Sequence, residues 1–284
     1  MKTSLRLAFA TLFFVSIQWS ADAAQYDRRL SNLSTRAQVG TGANVMITGF
    51  VVQNGAPKQV LIRAVGARLA SAPFSVSGAL TNPQLHLYNS AGTLVLANDN
   101  WAQADAATMS SVGAFPLTNN SGDSALVATL SPGVYTAQVS GVNNSSGIAI
   151  LEIYDVSGSA RLMNLSTRAM VGTGANTFFS GLVVAPGGGA RRVLVRAVGP
   201  SLVPLGVPGA LADPAIAVVD SAGRQIANGA NDNWDSSTPA LAAAFTQAGA
   251  FPFAAGSRDA ALLLDLMPGN YVIQVNGVAG ATGA

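Results

Sequence analysis

Two short acidic loops carry the residues best suited to chemistry in this chain. Asn98–Trp101 reads Asn-Asp-Asn-Trp, and Asn231–Trp234 repeats it. Carboxylate and amide oxygens crowded in this way suit Ca²⁺, which accepts flexible geometry and fills even weak sites outside the cell. Asx side chains at a strand end also cap their own main chain, and this is the commoner alternative because the spacing matches no recognised calcium loop. The predicted calcium ligands are Asp99, Asp123, Asp232 and Asp259.

The two tryptophans that end these loops suggest a second kind of site. Trp101 with Asn100, and Trp234 with Asn233, pair an aromatic face with an amide, as weak sugar-binding surfaces do. The commoner alternative is an indole that closes one end of a hydrophobic core. The sequence therefore predicts polysaccharide contact at these four residues and leaves the core role open.

The sequence contains few residues that could catalyse a reaction. The carboxylate pairs Asp99 with Asp123 and Asp232 with Asp259 are what a hydrolase would need. The chain has one histidine, His86, and no cysteine, so no nucleophile and base recur in both loops. We expect a protein that is not an enzyme, with a hydrolase as the third hypothesis.

Two arginines on strands predict structural ion pairs. Arg63 alternates with Leu61 and Val65, so it turns toward a partly apolar side, and Arg196 stands in the equivalent place. A guanidinium there needs a carboxylate partner. The candidate partners are Asp99 or Asp123 for Arg63, and Asp232 or Asp259 for Arg196.

All of these residues belong to an internal duplication. Asn32–Asn44 returns as Asn164–Asn176 with a single change. Units of this length can each bury a core. We predict a signal peptide at 1–23, one repeat at 24–158 and a second at 159–284, in which the last strand, matching Ile148–Val156, has no counterpart.

Hydrophobic periodicity predicts strands almost throughout both repeats. Apolar residues alternate in runs such as Lys58–Val65 and Val134–Val142, and Pro-Gly or Ser-Ala-Gly turns separate them. One Ala-rich helix is expected in each repeat, at Ala102–Val112 and Pro239–Gln247. The predicted fold is all-β, with two tandem antiparallel β-sandwich (jelly-roll-like) domains.

Composition and the N-terminus predict an exported protein. Lys2 and Arg6 precede the apolar run Leu7–Ile17, and Ala21-Asp22-Ala23 supplies small residues for signal cleavage. We expect a periplasmic, cell-surface or extracellular location with no membrane insertion after cleavage. Charged residues are only 10% of the chain, so the surface is neutral and polar, which argues against nucleic-acid binding.

The repeated motifs resemble those of a known group of proteins. Asn-Leu-Ser-Thr-Arg, Val-Gly-Thr-Gly, Arg-Ala-Val-Gly, Asn-Asp-Asn-Trp and Pro-Gly-Val-Tyr are similar to uncharacterised tandem repeats of large secreted bacterial surface proteins, over residues 30–284. The later half of each repeat, Pro83–Val142 and Pro214–Val278, also resembles bacterial pre-peptidase C-terminal domains. Both resemblances imply a non-catalytic β-sandwich accessory module.

Three functions follow from these observations. The first is an exported binding or spacing module with weak affinity for surface polysaccharide. The alternative is a structural subunit that self-assembles, because a sandwich without its last strand exposes a sheet edge. The third is the hydrolase. No cofactor is expected to be required, and Ca²⁺ is the one ion that the acidic loops suit.

Overall fold

A computed structural model describes residues 30–53, 55–158, 160–186 and 189–284. The predicted signal peptide, 1–23, lies outside the described residues. Within them, no helix has both the length and the apolar character needed to cross a membrane.

The described residues form an all-β fold with few short helices, as predicted. In the first repeat the elements are β1 (Leu30–Val39), β2 (Met46–Val52), β3 (Lys58–Val65), β4 (Pro83–Asn89), β5 (Leu94–Asn98), α1 (Ala106–Ser111), β6 (Ser124–Leu130), β7 (Gly133–Gly141) and β8 (Gly147–Ser157). In the second repeat they are β9 (Leu162–Arg168), β10 (Phe178–Val184), β11 (Arg191–Ala197), β12 (Pro214–Asp220), β13 (Gln225–Asn231), α2 (Pro239–Gln247), β14 (Ala260–Leu266) and β15 (Gly269–Gly277).

The predicted helices form, although the first is shorter than expected. α2 has the predicted bounds, with Pro239 in its first turn. In the first repeat, a 3₁₀ turn at Gln103–Asp105 precedes α1, which ends at Ser111. Each helix covers the outer face of a sheet.

Strand burial follows from position in the sheets. In β2, alternate side chains from Met46 to Val52 are buried, because one face meets the core. β8 is buried from Gly147 to Tyr154 on both faces, because it is a central strand with an outer layer of helix and loop above it. This explains why apolar residues stand on both faces of β8, as in Ile148–Leu151, where the sequence predicts alternation.

The two repeats exchange their first strands. One sheet has the order β5-β4-β7-β2-β9, so the first strand of the second repeat completes a sheet of the first repeat. The eight-stranded sheet has the order β13-β12-β15-β10-β1-β8-β3-β6, so β1 joins β10 of the second repeat to β8 of the first. β11 and β14 form a separate pair.

The contacts at the exchange have approximate two-fold symmetry. The hydroxyls of the equivalent residues Thr35 and Thr167 lie 3.0 Å apart. Arg36 donates from Nη2 to the carbonyl oxygen of Ala175 at 3.1 Å, and Arg168 donates from Nη2 to that of Ala43 at 2.9 Å. Each arginine therefore fastens its own strand to the other repeat.

The two repeats share one of the described hydrophobic clusters as a common core. It contains buried residues of both repeats, including Phe50 and Leu151 from the first and Leu182, Val195 and Leu264 from the second. The predicted boundary near 158 is a boundary between sequence repeats, and the hydrogen-bonded sheets cross it.

Among the described residues of the second repeat, 160–186 and 189–284, no strand is equivalent to β8. In the first repeat, β8 lies between β1 and β3 and pairs antiparallel with both. Their equivalents, β9 and β11, are both edge strands. Gly283 forms a bridge with Val171, as Gly147 does with Val39, and Ala284 takes the place of Ile148. The part without a counterpart therefore begins at the position of Ala149, one residue later than the sequence predicts.

Candidate functional site

The first asparagine of each acidic loop fastens the loop to the neighbouring strand. Asn98 accepts a hydrogen bond from the main-chain N–H of Ala125 at 3.1 Å and donates to the carbonyl oxygen of Asn100 at 2.8 Å. Asn231 makes the equivalent bonds, to Ala261 at 2.9 Å and to Asn233 at 2.8 Å. These bonds are the local capping that the sequence offered as the alternative to metal binding.

Asp123 and Asp259 hold the loop that follows the third strand of each repeat. Asp123 is fully buried and accepts from the main-chain N–H groups of Gly66, at 2.8 Å, and Arg68, at 3.1 Å. Asp259 is also fully buried and accepts from the N–H of Gly199 at 2.7 Å and from both the N–H and the hydroxyl of Ser201. The hydroxyls of Ser121 and Ser257, which lie just before β6 and β14, donate to the same carboxylates.

The other two predicted calcium ligands lie in a different environment. Asp99 and Asp232 are exposed at the surface of their loops. Within the described ranges, no three histidine, aspartate or glutamate side chains converge as a metal site would require. The structure thus gives the buried aspartates a capping role. It does not bring either carboxylate pair together in one open site, and Ca²⁺ binding stays a prediction.

The capping role predicts a loss of stability when Asp123 is removed. Asp123→Ala leaves buried N–H donors without acceptors, so the free energy of unfolding should fall by about 2–3 kcal/mol. Urea unfolding measures the change. The matched control is Asp99→Ala in the same loop region, which should change it by less than about 0.5 kcal/mol. Equal effects of the two substitutions would contradict the capping role.

Both predicted tryptophans are half-buried against an outer hydrophobic cluster. Trp101 donates from Nε1 to the carbonyl oxygen of Thr118 at 3.1 Å, and Trp234 does the same to Ala254 at 3.1 Å. Trp234 stacks on Phe245 with ring centroids 5.7 Å apart. Each indole therefore helps to close a cluster, while one part of its ring stays exposed.

Arg63 forms the predicted buried ion pair, although the predicted partner is wrong. Its Nε and Nη2 donate to Oε2 of Glu152, on β8, at 2.9 and 2.5 Å, and neither Asp99 nor Asp123 takes part. Nη1 donates to the carbonyl oxygen of Phe115 at 2.6 Å. The hydroxyl of Tyr154 donates to the other carboxylate oxygen of Glu152, and burial raises the pKa of Tyr154 well above its usual value.

Arg196 has the equivalent position and no equivalent carboxylate. Its Nη2 donates to the carbonyl oxygen of Phe251 at 2.8 Å, but its Nε is buried and has no hydrogen-bond acceptor within the described structure. The guanidinium lies over the rings of Phe245, Phe251 and Phe253 at 3.9–4.6 Å from their centroids. Among the described residues it makes no ion pair, so the predicted pairs with Asp232 or Asp259 are not formed.

The environment of Arg196 leaves its charge poorly compensated. Burial lowers the pKa of the guanidinium to about 10, and the charge of Asp259 opposes this shift without forming a contact. The cation–π contacts provide part of the compensation. In the first repeat, the carboxylate of Glu152 compensates the charge of the equivalent arginine, Arg63.

Comparisons with known proteins give no family for this chain. No protein-family model matches it, and no curated protein matches it either. Among solved structures, the protein YhaK from Escherichia coli is 11% identical over 84% of this chain and 92% of that chain, with a TM-score of 0.17. A likeness of this size carries no argument about fold or function.

Sequence reasoning missed two buried charges on β8 and β3. The sequence analysis assigns no partner to Glu152, although a carboxylate between apolar neighbours on a strand is itself a signal of a buried partner. Lys58 is fully buried and pairs with Asp155, with Nζ and Oδ1 2.5 Å apart. Both carboxylates belong to β8, the strand without a counterpart in the second repeat.

Proposed function

We propose that this chain is an exported, non-catalytic β-sandwich module that acts as a binding module or a spacer at the cell surface or outside the cell. One observation carries the proposal. In both repeats, the buried polar groups of the acidic loops hold the fold, and an exposed amide, Asn100 or Asn233, is left beside a partly exposed indole.

Weak polysaccharide binding is the activity that suits this pair of surfaces. An exposed indole face can stack against a sugar ring, and an exposed amide can both donate to and accept from its hydroxyls. The neutral, polar composition favours uncharged sugars over acidic ones. Two equivalent sites in one chain would raise the apparent affinity for a long polymer beyond that of either site alone.

The amides provide a test that leaves the core intact. Asn100→Ala combined with Asn233→Ala should abolish the retardation of the protein in native gels containing a neutral glucan, galactan or N-acetylglucosamine polymer. Either substitution alone should reduce the retardation less, because one site remains. Tryptophan substitutions are less suitable, since each indole also packs in a cluster.

The matched control changes exposed polar residues elsewhere in both repeats. Ser90→Ala and Ser221→Ala alter the turns that follow β4 and β12, and retardation should be unchanged. If the asparagine variants are retarded as strongly as the unaltered chain on every polymer that retains it, the loops are not the sugar site.

The second candidate function is a structural subunit joined to others through an open sheet edge. The edge strands β9 and β11 favour it, because each has a hydrogen-bonded neighbour on one side only in the described structure. Open edges invite pairing with further strands. Light scattering over a range of concentrations tests whether the chain associates.

A further inference from the structure

A cavity of about 650 Å³ opens at the surface of the second repeat. One wall is the 3₁₀ segment Pro200–Leu205, and the other is formed by residues of the loop from Phe251 to Ser257, which precedes β14. Its lining is mainly proline, alanine, leucine and phenylalanine, and none of the lining residues carries a charge. A concave, largely apolar surface of this size suits a small uncharged molecule.

Three large apolar side chains in these two segments are exposed. Leu205 is 63% exposed and Phe251 is 43% exposed, and both line the cavity. Val203, on the same 3₁₀ segment as Leu205, is 64% exposed. Large apolar side chains that are exposed together at one place mark an interaction site more often than single ones do.

The first repeat shows which chemical group fits the equivalent place. The equivalent of Phe251 is Phe115, and the ring of Phe74 packs on it with ring centroids 4.9 Å apart. The guanidinium of Arg68, the equivalent of Ser201, lies 5.2 Å from the centroid of the same ring. In the first repeat, an aromatic ring therefore lies between the equivalents of two residues that line the cavity.

The difference between the repeats comes from the loop that follows β3 and β11. Val76 and Val207 each donate from the main-chain N–H to a leucine at the start of this loop, at 2.8 and 3.2 Å, so the two valines are equivalent. Counted back two residues from them, Leu205 corresponds to Phe74. The second repeat thus supplies an exposed leucine at the rim of the cavity where the first repeat supplies a packed ring.

Two serine hydroxyls add a preference for a ligand that donates a hydrogen bond. Ser201 and Ser257 line the cavity, and each donates its hydroxyl hydrogen to the buried carboxylate of Asp259. Their oxygens can therefore accept a hydrogen bond from a ligand, but they have no second hydrogen to donate. A hydroxyl group on the ligand satisfies this arrangement.

We propose that this cavity is a binding site for a small uncharged molecule with an aromatic ring and a hydroxyl group. The ring takes the place that the Phe74 ring has in the first repeat, and the hydroxyl donates to one of the two serines. The site is distinct from the proposed sugar contact at Asn233. It lies next to Trp234, whose Nε1 donates to the carbonyl oxygen of a lining residue, Ala254.

NMR with benzyl alcohol as the probe tests the cavity on the chain without its predicted signal peptide. That chain has two tryptophans, Trp101 and Trp234, so it gives two indole N–H signals, which Trp101→Phe assigns. We expect the Trp234 signal to shift saturably, with half-saturation on the order of 1 mM, and the Trp101 signal to stay in place. Cyclohexylmethanol, the saturated analogue, should bind about threefold more weakly, because it loses the ring–ring contact with Phe251.

Reciprocal substitutions should transfer the site between the repeats. Leu205→Phe gives the second loop the ring of the first, which should fill the cavity and weaken binding about tenfold or more. Phe74→Ala should open the equivalent place, so that the Trp101 signal also shifts. The matched control, Leu94→Phe, adds a ring at another exposed leucine and should leave binding unchanged. If Leu205→Phe fails to fold, Phe251→Ala, which removes one wall, should weaken binding in its place.

Three results would overturn the proposal. The first is that benzyl alcohol leaves the Trp234 signal in place, and the second is that cyclohexylmethanol binds as tightly as benzyl alcohol. The third is that either reciprocal substitution leaves the response of both indole signals as it is in the unaltered chain. Benzyl alcohol should bind equally well to the chain with Asn100→Ala and Asn233→Ala, so this proposal and the sugar-binding proposal can fail separately.

Discussion

Glu152→Gln should lower the free energy of unfolding by about 3 kcal/mol or more. The substitution keeps the size of the side chain but removes the negative charge that faces Arg63, which is fully buried. Breaking a buried pair by removing one partner leaves an uncompensated charge in a medium of low polarity. The hydroxyl of Tyr154 loses its charged acceptor at the same time. Urea unfolding followed by far-UV circular dichroism gives the change.

An exposed ion pair provides the control for this effect. Arg192 and Asp265 also form a close pair, with N and O 2.8 Å apart, but their side chains are 67% and 52% exposed. Asp265→Asn should therefore cost no more than about 1 kcal/mol. A cost for Glu152→Gln as small as this would show that the buried pair is not the cause of stability.

A double substitution separates the charge from the packing. Arg63→Met combined with Glu152→Leu replaces both charges by apolar groups, and it should recover most of the stability that Glu152→Gln loses, because no charge is left unpaired. If the double variant is less stable than Glu152→Gln, the polar network itself, including the bond to Phe115, stabilises the fold.

The strands and helices were predictable because they depend on local patterns. β7 alternates apolar and polar residues from Tyr135 to Ser140, and Pro239 marks the start of α2. These signals need no knowledge of which strand lies beside which. The sequence therefore predicted the fold class and the bounds of elements such as β3 and α2.

The exchange of first strands could not be predicted, and the reason lies in the duplication. β1 and β9 both contain Asn-Leu-Ser-Thr-Arg, so either segment is compatible with the neighbours of the other. Local sequence cannot decide whether Thr167 lies beside Thr48 of the first repeat or beside Ser180, which is the equivalent of Thr48 in the second repeat. Only the linker and the whole core decide between pairings that have the same side chains.

The candidate sites were partly predictable for a related reason. A turn rich in Asx residues predicts its own capping. The hydrogen bonds of the Asn98 and Asn231 side chains join residues two positions apart or reach an adjacent strand. The partner of Arg63, Glu152, lies 89 positions away on a strand of mostly apolar residues. Strand alternation predicts that an arginine needs a carboxylate, but it cannot predict which distant strand supplies it.

The second repeat, residues 159–284, should not fold when it is produced alone. Among the described strands, β9 pairs only with β2, and β10 pairs with β1, so the second repeat takes both of these neighbours from the first repeat. Without them, β9 has no described strand partner, and the main-chain groups along one edge of β10 lose theirs. Circular dichroism during urea titration should show no cooperative transition for this piece, whereas the whole chain unfolds in one.

Mixing the two pieces distinguishes strand exchange from simple instability. Residues 24–158 and 159–284, combined in equal amounts, should regain a cooperative transition, because each piece supplies the strand that the other lacks. A first piece that carries Thr35→Pro should fail to restore it, since proline removes a donor from β1 and distorts its pairing with β10. A second repeat that unfolds cooperatively alone, with the midpoint of the whole chain, would mean that β9 can return to its own repeat. In that case the linker would determine that the first strands exchange in the intact chain. The shared core would then be a consequence of the strand exchange and not its cause.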